Sequence, residues 1–204
     1  MAEKLASNFK NILFSLLLIT AVTAGILGVV YKYTKQPIEQ KKSEKKENAI
    51  KEVLPSYDNI VEVKLAIESV AEKNIFKKEM AADSMSIYKA YKGEKLVGMA
   101  AETFSDKGFG GRISLMVGFL SDGTIYKIKV LSHSETPGLG SKMEDPVFYP
   151  QFENKHPQNF KLKVKKDGGD VDAITAATIS SRAYCDAVDK AYNIISNIGE
   201  QNNE

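Results

Sequence analysis

The chain has 204 residues, with 28 Lys and Arg against 26 Asp and Glu, for a formal net charge of +2. That near balance removes any whole-chain basis for nucleic-acid binding, and the length suits one medium domain plus a modest accessory segment. One cysteine, Cys185, excludes an intrachain disulfide framework and a Cys-x-x-Cys cluster, and the two isolated histidines, His133 and His156, lack the neighbours of a transition-metal site.

Ile12 to Tyr31 runs twenty residues without a charge, long enough at helical rise to cross the hydrocarbon layer of a bilayer. Lys10 precedes the run, Lys32 and Lys35 follow it, and Tyr31 and Tyr33 sit where interfacial aromatics belong. It reads as a retained membrane anchor. The rival is a cleaved signal peptide ending near Val22-Thr23-Ala24, but the apolar residues continue past that point. Gly25 and Gly28 are either contact points for partner spans or merely two small residues. Lysines are denser after the span than before it, yet glutamates interleave with them and the charge rule weakens for long translocated domains, so the count does not orient the chain. Lys41 to Glu52 reads as a solvated helical face, with a lipid-headgroup patch as the functional alternative. The expected division is an anchor with its flanks at 1–35, a charged linker at 36–55 and a domain at 56–204.

Beyond Pro55 the pattern is α+β. Val61 to Lys73 alternates and then drifts toward helix. Ser86 to Tyr91 and Glu94 to Thr103 read as strands joined by Lys92-Gly93, and Arg112 to Leu120 pairs with Thr124 to Leu131 across Ser121-Asp122-Gly123. Those turns predict a meandering antiparallel sheet, with Phe160 to Lys165 as a further short strand. From Thr178, apolar residues from Ala183 to Ile198 recur at three- and four-residue spacing, predicting an amphipathic terminal helix with Gly199 at its C′ position.

Three stretches carry possible chemistry. In Asp172-Ala173-Ile174-Thr175-Ala176-Ala177-Thr178-Ile179-Ser180-Ser181 a hydroxyl follows small residues at the predicted helix start, where unpaired N–H groups and a partial positive charge attract phosphate. An ordinary cap by Thr175 or Thr178, with Asp172 facing the dipole, explains the same residues. In His133 to Lys142, Pro137 and two glycines fix a tight loop whose bare backbone can approach a flat ring, while Glu135, Thr136 and Lys142 supply polar groups; a solvated turn is the alternative. Asp106 to Arg112 holds a glycine-rich turn that is neither a dinucleotide fingerprint nor a Walker loop, since its spacing and the strand after it are wrong for both.

Taken in order, these stretches resemble the FMN-binding domain family. Asp172 to Thr178 is similar to its Asp-x-x-Ser/Thr-Gly-Ala-Thr motif, Glu135 to Gly140 to its Glu-Thr-Pro-Gly-Leu-Gly run, and Gly108 to Gly111 to its Gly-Tyr/Phe-x-Gly turn. The resemblance covers about 86–198 and is strongest to the branch formed by the G subunits of Rnf-type ferredoxin:NAD oxidoreductase complexes; the related component of sodium-pumping NADH:quinone reductases is longer. It implies an α+β domain carrying FMN as a phosphoester on Thr178, with Asp172, Thr175, Ala176 and Ala177 around the attachment point. It also implies that Glu135, Thr136, Gly138, Leu139 and Gly140 lie beside the isoalloxazine ring, with Gly110 and Gly111 allowing close packing near it.

A threonine hydroxyl is a weak nucleophile without a base, so the resemblance further implies a separate flavin transferase that uses FAD as donor. The remaining partners it implies are the membrane and the other subunits of a redox complex, with no nucleic acid. The function that follows is relay of electrons between ferredoxin and NAD, coupled to ion translocation, by a single-pass protein of the cell membrane whose domain faces outward. The chain departs from the motif at Ala176, where the family has glycine, and so gives up easy access to positive φ. A membrane-anchored binding or assembly module without redox function would share the anchor and the domain but leaves the three motifs together unexplained. A hydrolase built on His133 lacks a Gly-x-Ser-x-Gly elbow.

Overall fold

The computed structural model describes residues 9–65 and 85–201. Helix α1 spans Phe9–Val53, and the chain divides into two compact units between Glu44 and Lys45.

In the first unit, residues 9–44 are helical throughout, with the apolar side chains from Phe9 to Tyr33 exposed. By length and composition this helix can cross a membrane. Its hydroxyls are already satisfied internally: Thr20 donates to the Leu16 carbonyl at 3.0 Å, Thr23 to Ile19 at 2.9 Å and Thr34 to Val30 at 2.8 Å. Hydrocarbon offers such groups no other partner. Pro37, which cannot donate to the helix ladder, falls after the apolar run.

The second unit is a five-stranded antiparallel meander in sequence order: β1 (Asn59–Leu65), β2 (Met85–Lys92), β3 (Lys95–Gly108), β4 (Gly111–Leu120) and β5 (Ile125–Ser132). Period-two patterning sets its faces. Ile113, Leu115, Val117 and Phe119 of β4 point to one side, where they meet Ala183, Ala187, Val188, Ala191, Ile194 and Ile195 of helix α2 (Thr178–Gln201). The Thr103 hydroxyl ties β3 to that helix through the Ala187 carbonyl at 2.9 Å. Met116 points to the other side, into a second cluster with Tyr88, Ala90, Ala100 and the end of α1.

The stretch expected as a charged linker is therefore helical to Val53, but Ala49, Ile50 and Val53 on it are buried. Gly118 is the reason the fit is close, because a Cβ there would run into the Val53 carbonyl. Of the alternating segment that begins at Val61, residues to Leu65 form β1 and those from Ala66 to Lys73 lie outside the described residues.

Two expectations need correction. Phe160 to Lys165 is not a strand of the sheet. Leu162 and Val164 are buried and Lys161 and Lys163 exposed, as the alternation required, but the backbone pairs with its own following turn: Lys165 N–H donates to the Val171 carbonyl at 2.8 Å and Lys161 N–H to the Asp170 carboxylate at 2.7 Å. A single bridge, Val164 to Val171, is all that results. Gly199 does not end α2, which continues to Gln201.

Candidate functional site

The start of α2 is fixed by a turn and by one serine. Ala177 N–H donates to the Ile174 carbonyl at 3.0 Å, closing a turn with Thr175 and Ala176 at its centre. Ala176 has φ of 61°, the left-handed value that the third residue of a type II turn requires and that glycine supplies without steric cost. Buried Ser181 then locks turn to helix, accepting from Ile174 N–H at 2.9 Å while its hydroxyl donates to the Ala177 carbonyl at 3.0 Å. Thr178, Ile179 and Ser180 form the first helical turn, whose N–H groups have no acceptor inside the helix.

The loop after β5 is shaped by local chemistry of the same kind. Leu139 N–H donates to the Thr136 carbonyl at 3.1 Å across Pro137 and Gly138, whose φ of 75° gives a second turn of type II pattern. Just before it, Glu135 is only 5% exposed, and its N–H donates to His133 Nδ1 at 3.1 Å. In the turn between β3 and β4, Gly110 approaches so closely that a Cβ would strike the Ser134 carbonyl. The glycine-rich turn and the β5 loop therefore interlock through bare backbone.

Glu135 joins all three stretches. One carboxylate oxygen accepts from Gly110 N–H at 2.9 Å and the other from the Ser180 hydroxyl at 2.5 Å. Above this junction opens a cavity of about 330 Å³ lined by Phe109, Glu135, Thr136, Leu139, Gly140 and the residues from Ala176 to Ser180. Among the candidate residues, Thr178, Ala176, Ala177, Glu135, Thr136, Leu139 and Gly140 thus share one wall system. The others stand behind or beside it. Gly110 holds Glu135, Gly111 shapes the β-turn with φ of 103°, Gly138 sits in its own turn, Thr175 is exposed at the turn corner, and Asp172 pairs with Lys165 at 2.8 Å.

Phe109, Ile179 and Ser180 are wall residues that the sequence reasoning missed. Phe109 is 71% exposed and Ile179 also presents its side chain to solvent, so both give the cavity an apolar rim. Exposed large apolar residues inside a glycine-rich turn and in the first turn of a helix were the available signal. Ser180 could be found only through its contact with Glu135, 45 residues earlier.

The donor set suits a flat ring carrying a phosphate. The rim is apolar, Ala177 and Gly140 are small, and the open N–H groups of the first α2 turn would present the positive end of the helix dipole to an anion. Gly140 is part of the cradle, since a Cβ there would lie 2.5 Å from both Glu135 Oε2 and Ser180 Oγ.

A larger concavity of about 750 Å³ lies along the next turns of α2, lined among others by Lys107, Lys163, Asp167, Arg182, Cys185 and Asp186. Two pairs of its charges are mutually engaged. Arg182 donates to both oxygens of Asp167 at 2.7 and 2.8 Å, and Lys107 reaches Asp186 at 2.7 Å. Burial pushes the Cys185 thiol up to about 12, which leaves it inert at neutral pH.

Comparison with known proteins adds three findings. The model of the FMN-binding domain family matches residues 108–193. The G subunit of the ion-translocating oxidoreductase complex of Erwinia tasmaniensis is 33% identical over 182 residues, covering 85% of this chain and 83% of that protein; its counterpart of the same description in Methanosarcina acetivorans is 32% identical over 196 residues, covering 94% and 96%. The crystal structure of Shewanella oneidensis NqrC aligns at a TM-score of 0.43 with 25% identity over 59% of each chain.

Proposed function

The chain belongs to the family of G subunits of ion-translocating oxidoreductase complexes, and from that premise we propose that its cavity of about 330 Å³ holds FMN esterified to Thr178. It is an electron-carrying flavoprotein subunit of such a complex. Bound FMN supplies redox chemistry that no side chain here can perform, and the protein contributes position, polarity and solvent access.

The observation that carries the reading is convergence. Thr178 is the first residue of α2 and a wall residue of the cavity, and the two glycine-containing loops complete the same walls. The N–H groups of Thr178, Ile179 and Ser180 would receive the phosphate, with Phe109, Leu139 and Ile179 against the ring. Thr175 and Ala176 form the turn that aims the helix start, and Asp172, paired with Lys165 and strapped to the Gln151 side chain, steadies the approach to it.

Among the described residues no base engages the Thr178 hydroxyl: the nearby carboxylate of Glu135 is bonded to Ser180 and Gly110. Attachment therefore belongs to a separate flavin transferase. In that reaction the bond from Thr178 Oγ to phosphorus forms as the phosphoanhydride bond of FAD breaks, AMP leaves, and the threonine proton passes to a base of the transferase. The apolar part of α1 anchors the chain in the cell membrane with the domain on the extracytoplasmic side, where it relays electrons between neighbouring subunits on the route from ferredoxin to NAD.

Co-expression of the full chain with a flavin transferase tests the attachment. Denatured protein should retain flavin fluorescence and an FMN-sized mass increment, and Thr178→Val should lose both completely. Unmodified wild-type chain, from a host whose transferase labels a known acceptor, would sink the reading. For orientation, protease added to spheroplasts should digest the domain without lysis; protection until lysis would reverse the assignment.

A further inference from the structure

Glu135 is a carboxylate on the wall of a largely apolar cavity, and among the described residues its oxygens accept from neutral donors, the Gly110 N–H and the Ser180 hydroxyl. Among the described residues no ion pair engages it. Of the basic groups nearest in the sequence, Lys129 pairs with Glu52 at 2.9 Å and His133 faces Glu144 at 3.8 Å, while no ion pair joins Lys142 to Glu135. Burying a carboxylate without a cation is costly, whereas a neutral amide could tie the same three segments together with the same number of hydrogen bonds. Room is nevertheless made for it: a Cβ on Gly108 or Gly140 would lie 2.5 Å from one of its oxygens. The fold keeps this carboxylate at the cavity wall, held in one orientation.

We propose that Glu135 sets the reduction potential of the flavin that this cavity holds, its charge opposing the arrival of electrons on the ring and so keeping the potential low. The proposal rests on the assignment of the cavity to FMN. A charge in a water-poor wall acts at an effective dielectric far below that of water, so its field on an adjacent ring is not screened away. Ser180 and Gly110 act as positioning groups that aim the carboxylate, and Glu135 needs no part in proton transfer or attachment for this effect.

Spectroelectrochemical titration of the flavin-loaded full chain tests it, comparing wild type with Glu135→Gln and Glu135→Asp. The Gln variant should load flavin and shift the potential positive by about the equivalent of a tenfold change in the one-electron equilibrium, 59 mV. The Asp variant, which retains the charge, should stay closer to wild type. A loaded Gln variant with an unchanged potential would overturn the proposal. So would loss of flavin from the Gln variant, or from both, which would assign Glu135 to assembly of the attachment site. A wild-type chain that carries no flavin would instead count against the cavity assignment itself.

Discussion

The two concavities along α2 differ in a way that volume does not capture. In the larger, about 750 Å³, two pairs of lining charges already satisfy one another, Arg182 with Asp167 and Lys107 with Asp186. The smaller, about 330 Å³, has open helix N–H groups, an exposed aromatic rim and one carboxylate that no cation among the described residues engages. A ligand gains most where it completes interactions that the protein has left open, because polar groups already paired must be stripped before they can bind anything. The difference teaches that a candidate site is recognised by unfinished chemistry at its walls, and that size alone points to the other concavity along the helix.

Two substitutions set the ends against each other. Gly140→Ala places a methyl group between Glu135 and Ser180, where contacts of 2.5 Å leave no space. We expect most flavin incorporation to disappear and the domain to lose about 2 kcal/mol, an overpacking cost, measured by mass and by denaturant unfolding. Wild-type loading in this variant would break the claim that the small cavity is closely fitted. At the other end, burial alone would raise the pKa of Asp186, but hydrogen bonds from Lys107, Ser105 and Lys190 outweigh it and hold the carboxyl below its usual value. Lys190, only 5% exposed, pairs with this carboxylate at 3.1 Å. Asp186→Asn should therefore cost about 1 to 2 kcal/mol near neutral pH, a buried-pair loss discounted for partial exposure, while leaving flavin loading unchanged. A carboxyl with a depressed folded pKa stabilises above its unfolded value, about 3.9, and that contribution fades as pH falls through the folded value. The gap between variant and wild type should hold from neutral pH down to about 4 and close below it; a gap that stays constant through the acid range would remove the ion pair as its cause.

How much of this was readable in advance follows from the range of the interactions. Strands β2 to β5 and their turns are legible because alternation and turn residues such as Gly93 and Gly123 act within a few positions. Helix α2 is legible because its stripe from Ala183 to Ile198 repeats over several turns. Residues 160–165 alternate equally well, yet strand membership needs a neighbour with free backbone, and Asp170 and Val171 take those hydrogen bonds first. The burial of Ala49, Ile50 and Val53 was hidden among lysines and glutamates, since only the sheet laid over them distinguishes this stripe from a solvated helix. In the site, the motifs identified the loops, but the junction at Glu135 depends on Ser180 and Gly110, 45 and 25 residues away, and no local pattern encodes it.

Ala176 is the smallest test and the one that separates shape from chemistry at the helix start. Its φ of 61° shows that the turn keeps the geometry glycine would give, with the alanine methyl accepted in a strained conformation. The left-handed region costs an L-residue about 1 to 2 kcal/mol, and glycine would relieve that while adding about 0.4 to 1 kcal/mol of backbone entropy to the unfolded chain. Ala176→Gly should therefore stabilise the domain by about 0.5 kcal/mol in denaturant unfolding, with the extent of FMN attachment unchanged, because the turn already has its required form. A rise in attachment would show that the methyl group obstructs the transferase or the phosphate. Destabilisation would instead show that the strain in this turn is smaller than its φ implies, and that the conformation is held by the Ser181 hydrogen bonds to Ile174 and Ala177 at little cost.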